Sequence, residues 1–497
     1  MKQKFISQLF AILTLIILVI CSTTAYGDII NVPADYPTIQ EAIDAAYPGD
    51  IVKVASGVYK GEGNRNIQFR GKAIMVRSEL GARFCIIDCE GLTRGFNFNN
   101  GEGYDSVLSG FTITNGVNGP GGYGGGGIEI YGTTPTITGC VIKNTTSGSY
   151  YGSGGIWLSG SPIIRGCSII GNTGNSSGAG ISVWGGSPTI TDCLIMDNHS
   201  VMDGGGIYIN SGDNAIIINC LIVQNTAGNQ GGGILLAGGG TTNIINTTIT
   251  KNTCDRPDSG GGIHIFGGNT IMTNCILWQD HPTEIVGNPV VTYSDVQGGW
   301  VGEGNINAVP EFWSCGDYHL KGNSPCVDAG DNSTSWLPDT DLDGNPRVYN
   351  DAVDMGAYEY GWVKLPIVDV KANGKDHVLF LITFGPTKTV TLSFALYPRD
   401  MYRKLCDWKI KLSFFTLFED TLPLFQVSPK SFEVDLPIGV HTFLFYIDDK
   451  PDGVVDDPKW CDKIDIAIIP WWWLAGDENK DDFGDLDDVL VRLWGRI

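Results

Sequence analysis

The chain has 497 residues, with 54 acidic against 32 basic residues and a net charge of −22 at pH 7. This balance argues against nucleic acid and anionic membrane surfaces as partners, because both attract basic proteins. After the N-terminus, no segment approaches the ~20 consecutive apolar residues of a membrane-spanning helix. We therefore expect no membrane span.

The N-terminus has the features of a secretory signal. Lys2 and Lys4 precede an apolar run over residues 10–20, and the small residues Ala25 and Gly27 follow. This order predicts a signal peptide over residues 1–27, cleaved after Gly27. Lipid attachment at Cys21 is the alternative. We expect an exported protein that is secreted, extracellular or displayed at the cell surface.

The middle of the chain is a repeat with a period of 25 to 29 residues. Each unit opens with glycine before an apolar run and closes with asparagine. The glycines are Gly127, Gly155, Gly180, Gly206, Gly233 and Gly262, and the asparagines are Asn115, Asn144, Asn172, Asn198, Asn225 and Asn252. A cysteine keeps the same period at Cys140, Cys167, Cys193, Cys220 and Cys275. A sustained period of this length is typical of solenoids.

Each unit contains two or three short β-like runs and has no room for a helix. Alternating isoleucines define an inward face that only stacked units bury, at ~4.8 Å per coil. Parallel crossovers are nearly always right-handed. We therefore predict an all-β fold, a right-handed parallel β-helix over residues 28–310, with cysteines as buried free thiols and asparagines bonded along one corner. An amphipathic helix over residues 38–46 should cap the first coil.

These units resemble a known family. "GGGIYI…NCLIVQN" is similar to the repeats of secreted bacterial proteins with pectate-lyase-like β-helices, and "INVPADYPTIQEAIDAAYPGDIVKVASGVYKG" resembles their start. The resemblance covers roughly residues 29–310 and implies the fold. It leaves the activity open, because this architecture serves lyases, hydrolases, adhesins and binding proteins.

Residues 311–360 resemble the closing segment, sometimes called a choice-of-anchor domain, that follows such β-helices. The resemblance rests on "DYHLKGNSPCVDAGDN" and "DTDLDGNPRVYNDAVDMGAYEY". Asp339, Asp341 and Asp343 alternate before Gly344, as oxygen ligands do in calcium loops. The twelfth position holds Asn350 instead of a bidentate acid, so an acidic turn is the alternative to a calcium site.

Residues 361–470 contain six strand-like runs without the glycine repeat, which predicts an antiparallel β-sandwich. "DVKANGKD…VTLSFALYP…CDWKIKL" resembles an accessory domain of other exported bacterial proteins. Cys406 and Cys461 are its only cysteines. In an oxidising compartment we expect them to form a disulfide.

The tail, residues 471–497, ends in "GDENKDDFGDLDDVLVRLWGRI", which resembles one half of a dockerin, the module that docks secreted proteins onto a cohesin. Oxygen ligands occupy positions 1, 3, 5, 9 and 12 of a calcium loop. They are Asp477, Asn479, Asp481, Asp485 and Asp488. Asp482 replaces the usual glycine. The resemblance implies calcium as a cofactor and a cohesin-type or cell-surface partner.

The outward side of the glycine-led strands carries two columns of residues. One holds Glu129, Trp157, Ser182, Tyr208, Leu235 and His264, and the next holds Tyr131, Ser159, Trp184, Asn210, Ala237 and Phe266. Aromatic rings stack on the apolar faces of sugars. We therefore expect Tyr131, Trp157, Trp184, Tyr208 and Phe266 to form a platform for polysaccharide. The alternative is that a loop or the C-terminal domain covers this face and makes the aromatics part of a core.

Candidate catalytic residues are few. Glycoside hydrolysis needs two carboxyl groups ~5–9.5 Å apart, whereas Glu129 and His264 lie five coils, or about 24 Å, apart. Asp203 and Asp258 lie two coils, or about 10 Å, apart near Arg256. These three are the catalytic candidates, although aspartates at corners usually stabilise turns.

The sequence therefore favours a polysaccharide-binding β-helix without catalysis. The alternatives are a polysaccharide lyase or glycoside hydrolase of the same fold, and a structural spacer or adhesin that recognises protein.

The tail generates the first testable prediction. Four carboxylates crowd into twelve residues, so calcium should bind weakly, with a dissociation constant on the order of 10⁻⁴–10⁻³ M. Calorimetry of the full chain should show a calcium-binding heat that Asp481→Ala removes and that Asp255→Asn leaves intact. An identical titration of the wild-type protein and Asp481→Ala would show that the tail binds no calcium and would remove the reason for docking.

Overall fold

A computed structural model describes residues 27–360, apart from 119–123, 150–151, 176, 211–213, 315 and 350–351. Between residues 367 and 470 it describes the backbone of the strands. The signal peptide and the dockerin-like tail lie outside the described residues, so both stay predictions.

Three parallel sheets run along the molecule, and successive coils add one strand to each. Among the described residues, the first sheet is Ile29–Val32, Ile51–Val54, Met75–Ser78, Val107–Ser109, Thr136–Thr138, Ile163–Arg165, Thr189–Thr191, Asn214–Ile218, Thr241–Ile245, Asn269–Thr273 and Val290–Thr292. The second sheet is Gly57–Tyr59, Cys85–Asp88, Thr112–Thr114, Val141–Lys143, Ser168–Ile170, Leu194–Met196, Leu221–Val223, Thr248–Thr250, Ile276–Trp278 and Asp295–Val296.

The third sheet contains the glycine-led strands. Its strands are Ile67–Gln68, Phe96–Phe98, Ile128–Tyr131, Ile156–Ser159, Ile181–Val183, Ile207–Ile209, Ile234–Leu236, Ile263–Ile265 and Ile285–Val286. A narrow sheet lies at one corner, formed by Val117–Asn118, Thr146–Ser147, Thr173–Gly174, His199–Ser200, Thr226–Ala227 and Thr253–Cys254, and Gly124–Gly125 pairs with Gly152–Ser153. The predicted parallel β-helix is confirmed.

The core is a set of side-chain columns inside the coils. Parallel register places Ile156 on Ile181 and Ile181 on Ile207, and these side chains are fully buried. The cysteine column, including Cys167 and Cys193, is buried and free of disulfides. The structure therefore confirms the predicted buried thiols, and burial raises the pKa of Cys193 well above its ordinary value.

The N-terminal helix covers the first coil as expected. It spans Ile39–Ala45, and the side chain of its N-cap residue Thr38 accepts a hydrogen bond from the Glu41 amide. Ile39, Ala42 and Ile43 are buried. No helix among the described residues is long and apolar enough to cross a membrane.

A column of asparagines bonds the coils together at the corner after the second sheet. The side-chain oxygen of Asn198 accepts hydrogen bonds from the backbone and side-chain N–H groups of Asn172 at 3.1 and 2.9 Å. The side-chain oxygen of Asn225 accepts the same two bonds from Asn198, at the same distances. Asn252 continues the column. Asn144 was wrongly assigned to this column. It is exposed with φ +53°, and Thr145 donates to Asn172 in its place.

Asn115 was wrongly assigned to the same column. It shares the left-handed conformation of Asn144, with φ +55°. Thr114 pairs with Lys143, and Lys143 pairs with Ile170. Asn115 and Asn144 therefore align with Gly171, one residue before the buried Asn172.

Asp280 ends the asparagine column with a carboxyl group. Its Oδ1 accepts from the amide and side chain of Asn252 at 2.6 and 2.9 Å. Its buried Oδ2 has no hydrogen-bond partner and occupies the position of the donating amide nitrogen in earlier coils. Burial, together with nearby Glu284, raises the pKa of Asp280 well above its ordinary value. A protonated carboxyl suits this position, because it supplies the missing donor.

This arrangement makes stability depend on pH. In the unfolded chain, the Asp280 carboxyl releases its proton near pH ~4. The folded protein keeps that proton, so its free energy of unfolding falls as the pH rises from ~4 toward the raised pKa. Asp280→Asn supplies the donor without a proton. We expect it to raise the free energy of unfolding at pH 8 by ~1–2 kcal/mol and to leave it nearly unchanged at pH 4.

Denaturant unfolding at both pH values tests this, with the exposed Asp255→Asn as the control. Equal destabilisation by Asp280→Asn at pH 4 and pH 8 would show that the carboxylate is ionised and required.

The closing segment packs against the side of the β-helix at the corner between the first and second sheets. The side-chain amides of Asn219, Asn246 and Asn274 donate to the carbonyls of Thr340, Asp354 and Asp331 at 3.1, 3.2 and 3.1 Å. The Asp331 amide returns a bond to Asn274 at 2.7 Å. Three successive coils therefore bind this segment through one asparagine column.

Apolar packing and a buried cation complete this contact. Leu320, Cys326 and Met355 form a cluster with Ile276 on the outer face of the second sheet. Arg347 is buried, and its guanidinium lies 3.7 Å from the Glu359 carboxylate. The segment has two pairs of short strands, Phe312–Ser314 with Asp317–Leu320 and Val348–Tyr349 with Ala352–Val353. The described β-helix and residues 319–360 belong to one compact unit.

The asparagine contacts generate a second prediction about stability. Asn274→Gly keeps the left-handed backbone, φ +56°. It removes the two hydrogen bonds between the Asn274 side chain and the backbone of Asp331. Hydrogen exchange of amides over residues 326–357 should accelerate about tenfold, because each lost bond contributes ~1 kcal/mol. Asn144→Gly is the matched control, with a similar backbone and an exposed side chain. Equal exchange in both variants would contradict the role of Asn274.

The C-terminal strands form two sheets, described here by their backbone alone. One sheet has the order Lys375–Asp376, Ile367–Ala372, Thr387–Tyr397 and Lys430–Pro437, and the other has the order Val378–Thr383, Lys459–Pro470, Gly439–Asp448, Leu405–Leu412 and Phe415–Pro423. The pairs are antiparallel except that Val378–Thr383 and Lys459–Pro470 run parallel. This one pair departs from the predicted antiparallel arrangement.

Candidate functional site

The candidate site is the outer face of the third sheet, where the aromatic residues were predicted. Register confirms both outward columns. Glu129 pairs with Trp157 and then Ser182, while Tyr131 pairs with Ser159. Their exposure differs, and this difference decides which of the rings a ligand can reach.

The first outward column, which runs from Glu129 to His264, is buried from Trp157 onward. Trp157 is 3% exposed and Tyr208 is 9% exposed, so the prediction that these two rings form an exposed platform is wrong. The chain segments that lead into the strands cross this column. A Cβ on Gly204 would lie 2.8 Å from the Tyr208 Cβ, and one on Gly231 would lie 2.7 Å from the Leu235 Cβ. Only glycine allows such an approach, and both glycines have positive φ.

The crossing segments also bond to one another from coil to coil. The amides of Gly204, Gly205 and Gly206 donate to the carbonyls of residues 230, 231 and 232 at 2.8, 3.0 and 3.0 Å. The cover therefore repeats with the coil and is part of the β-helix itself.

The second outward column, which runs from Tyr131 to Phe266, remains accessible. Tyr131 is 61% exposed, Phe266 is 60% exposed and Trp184 is partly buried. In the register of the sheet, Tyr131 and Trp184 are two coils, about 9.6 Å, apart, and Trp184 and Phe266 are three coils, about 14.4 Å, apart. The described face therefore presents three rings in one line along the axis.

A covered ring supports each accessible ring. Tyr131 stacks on Trp157 at 6.3 Å with an interplanar angle of 9°, Trp184 contacts Tyr208 at 5.7 Å, and Phe266 contacts His264 at 4.4 Å. The Trp184 indole also donates to the Ser182 hydroxyl at 2.8 Å. These contacts hold the accessible rings in fixed orientations.

The three catalytic candidates are engaged in local contacts. Asp203 is half-buried and accepts a bond from the Asn229 amide at 2.8 Å, and its burial raises its pKa. Asp258 is exposed and pairs with Arg256 at 2.7 Å, which lowers its pKa. Both carboxyl groups lie close enough to His264 and Arg256 to interact with them electrostatically. These interactions favour the role of corner aspartates in turns.

His264 and Glu129 also have local partners. The Ser259 hydroxyl and the Gly260 amide approach His264 Nδ1 at 2.7 and 3.3 Å, so this nitrogen accepts hydrogen bonds and the ring is neutral. Burial also lowers the pKa of His264, which favours the neutral ring. Glu129 pairs with the partly buried Arg94. Sequence reasoning missed both Ser259 and Arg94 because neither belongs to an outward column.

The calcium candidates of the closing segment act in a turn. The Asp341 carboxylate accepts the amides of Asp343 and Asn345 at 3.0 and 2.8 Å, the Asn345 side chain at 3.1 Å and the Glu359 amide at 3.1 Å. Asp343 pairs with His319, and Asp339 is exposed. Across the described residues, no group of three or more acids, histidines or cysteines is arranged to hold a metal.

Two sets of predicted residues lie outside the described side chains. The first set is the tail calcium ligands Asp477, Asn479, Asp481, Asp485 and Asp488. The second is Cys406 and Cys461, which lie on strands that flank Gly439–Asp448. The calcium site and the disulfide stay predictions.

The fold defines the class of protein, a right-handed parallel β-helix repeat protein. The family model described as "Right handed beta helix region" matches residues 94–249 and 179–291. Comparison with curated proteins and with solved structures finds no match.

Proposed function

We propose that this chain binds a polysaccharide along Tyr131, Trp184 and Phe266, the accessible line on the third sheet, without acting on it chemically. The observation that carries the proposal is the pairing of each accessible ring with a covered one. Aromatic rings offer large apolar surface with a fixed face, as the faces of sugar rings require.

Preorganisation supports the proposal energetically. A flexible surface ring loses conformational freedom when a ligand orders it, at about 0.5–1.5 kcal/mol per side chain. Tyr131 stacks nearly parallel on Trp157, and Trp184 is held by its bond to Ser182. Part of that entropy is therefore lost during folding, and binding a ligand costs less.

The local contacts of the two candidate catalytic aspartates support a role in binding without catalysis. Asp203 and Asp258 stabilise corners through Asn229 and Arg256, and neither lies in the accessible line. We propose further that the protein acts outside the cell after export, and that the tail attaches it to a cohesin-type or cell-surface partner.

Binding to immobilised and soluble polysaccharides tests the proposal. Trp184→Ala should weaken binding at least about fivefold, since loss of one stacked ring removes roughly 1 kcal/mol. Tyr131→Ala and Phe266→Ala should each weaken it as well. Phe84→Ala is the control, because Phe84 is 45% exposed and lies at the corner between the first and second sheets, away from the line.

The alternatives appear as distinct outcomes of the same assay. New reducing ends or unsaturated products that disappear in Asp203→Ala would identify a hydrolase or lyase and overturn the binding-only proposal. Failure of every polysaccharide to bind, with the chain folded by circular dichroism, would point to a spacer or an adhesin for protein.

A further inference from the structure

The turns that follow the accessible rings are nearly free of charge. We define the corner strip as the described residues of segments 131–135, 159–162, 184–188, 210, 237–240 and 266–268. It contains glycine, serine, threonine, proline, asparagine and alanine besides the three rings. Asp213, which lies outside the described residues, is the one charged residue in the sequence of these turns.

This composition stands out against the rest of the chain. The protein carries a net charge of −22, yet six successive turns on one corner are almost without acids and bases. A polymer of uronic acids needs cationic side chains or a bridging cation at its carboxylates. The described corner strip offers no lysine, arginine or histidine, and the surrounding acidic protein repels a polyanion.

The shape of the strip suits a chain that runs along the axis. Between Tyr131 and Trp184 lies Ser159, and between Trp184 and Phe266 lie Asn210 and Ala237. These small residues leave shallow spaces between the rings. Ser159 and Asn210 are partly accessible, and hydroxyl and amide groups bond sugar hydroxyls without needing charge.

We infer that the corner strip selects an uncharged polysaccharide, extended across successive coils, and discriminates against polyuronates and other carboxylated glycans. The inference rests on the proposed function and adds the class of ligand. Discrimination arises because the strip lacks cationic partners while the acidic protein as a whole repels carboxylates.

A charge change on an otherwise identical polymer tests this. The panel contains a β-glucan, a xylan, a mannan and fully methyl-esterified galacturonan. Each is paired with a carboxylated form, made by carboxymethylation of the first three and by de-esterification of the last. At low salt, the full-length protein should bind at least one neutral polymer at least about tenfold more tightly than its carboxylated partner.

Two controls attribute the effect to the strip and to charge. Trp184→Ala should weaken binding of the neutral polymer, and Phe84→Ala, at the corner between the first and second sheets, should leave it unchanged. The tenfold difference should narrow at 1 M salt, where the Debye length falls to about 3 Å.

The outcomes separate this inference from the proposed function. Binding of a carboxylated polymer as tightly as its neutral partner, still lost in Trp184→Ala, would overturn the inference and leave the proposed function standing. No binding by any polymer in either set would overturn both.

Discussion

The spacing of parallel strands is the constraint on which the whole molecule depends. Backbone hydrogen bonds hold successive coils ~4.8 Å apart, so equivalent residues stack directly on one another. A residue type that packs or forms hydrogen bonds well at one position of a coil therefore suits the same position of the next coil. Isoleucine columns fill the interior, and the column from Asn172 to Asn252 bonds each coil to its neighbour. Where the pattern ends, Asp280 takes the next position, and its buried carboxyl favours the protonated form.

The same constraint operates outside the coils. The crossing segments pass close over Tyr208 and Leu235 because Gly204 and Gly231 have no side chain, and they leave the next outward column accessible. The corner asparagines Asn219, Asn246 and Asn274 form a second column, whose amides bind the closing segment. Covered and accessible surfaces of the described β-helix therefore both extend along its axis, and the candidate site on the third sheet is a line along that axis. A linear polymer is the ligand whose shape agrees best with such a surface.

Several features were predictable from local pattern. The period of Gly127 to Gly262, the inward isoleucines, the buried cysteines and the helix beginning after Thr38 all follow from rules about neighbours and spacing. The closing segment packs on the outer face of the second sheet, and this contact also has a signal in the sequence. Leu194–Met196, Leu221–Val223 and Ile276–Trp278 are apolar at every position, as strands buried on both faces are. Val141–Lys143 ends instead on an exposed lysine in the coils without a cover.

The sequence by itself determined the coil, its interior and its corners, because each depends on residues that repeat and therefore reveal themselves by period. Only the tertiary structure decided which outward side chains are covered. Trp157 and Trp184 are both outward tryptophans, yet Trp157 is 3% exposed and stacks against Tyr131, whereas Trp184 remains partly accessible. The difference depends on where distant backbone passes, and alternation along a strand reports only the face of each residue. Likewise, the turn in which Asp341 accepts four N–H groups is a property of the folded loop, which spacing alone does not distinguish from a calcium loop.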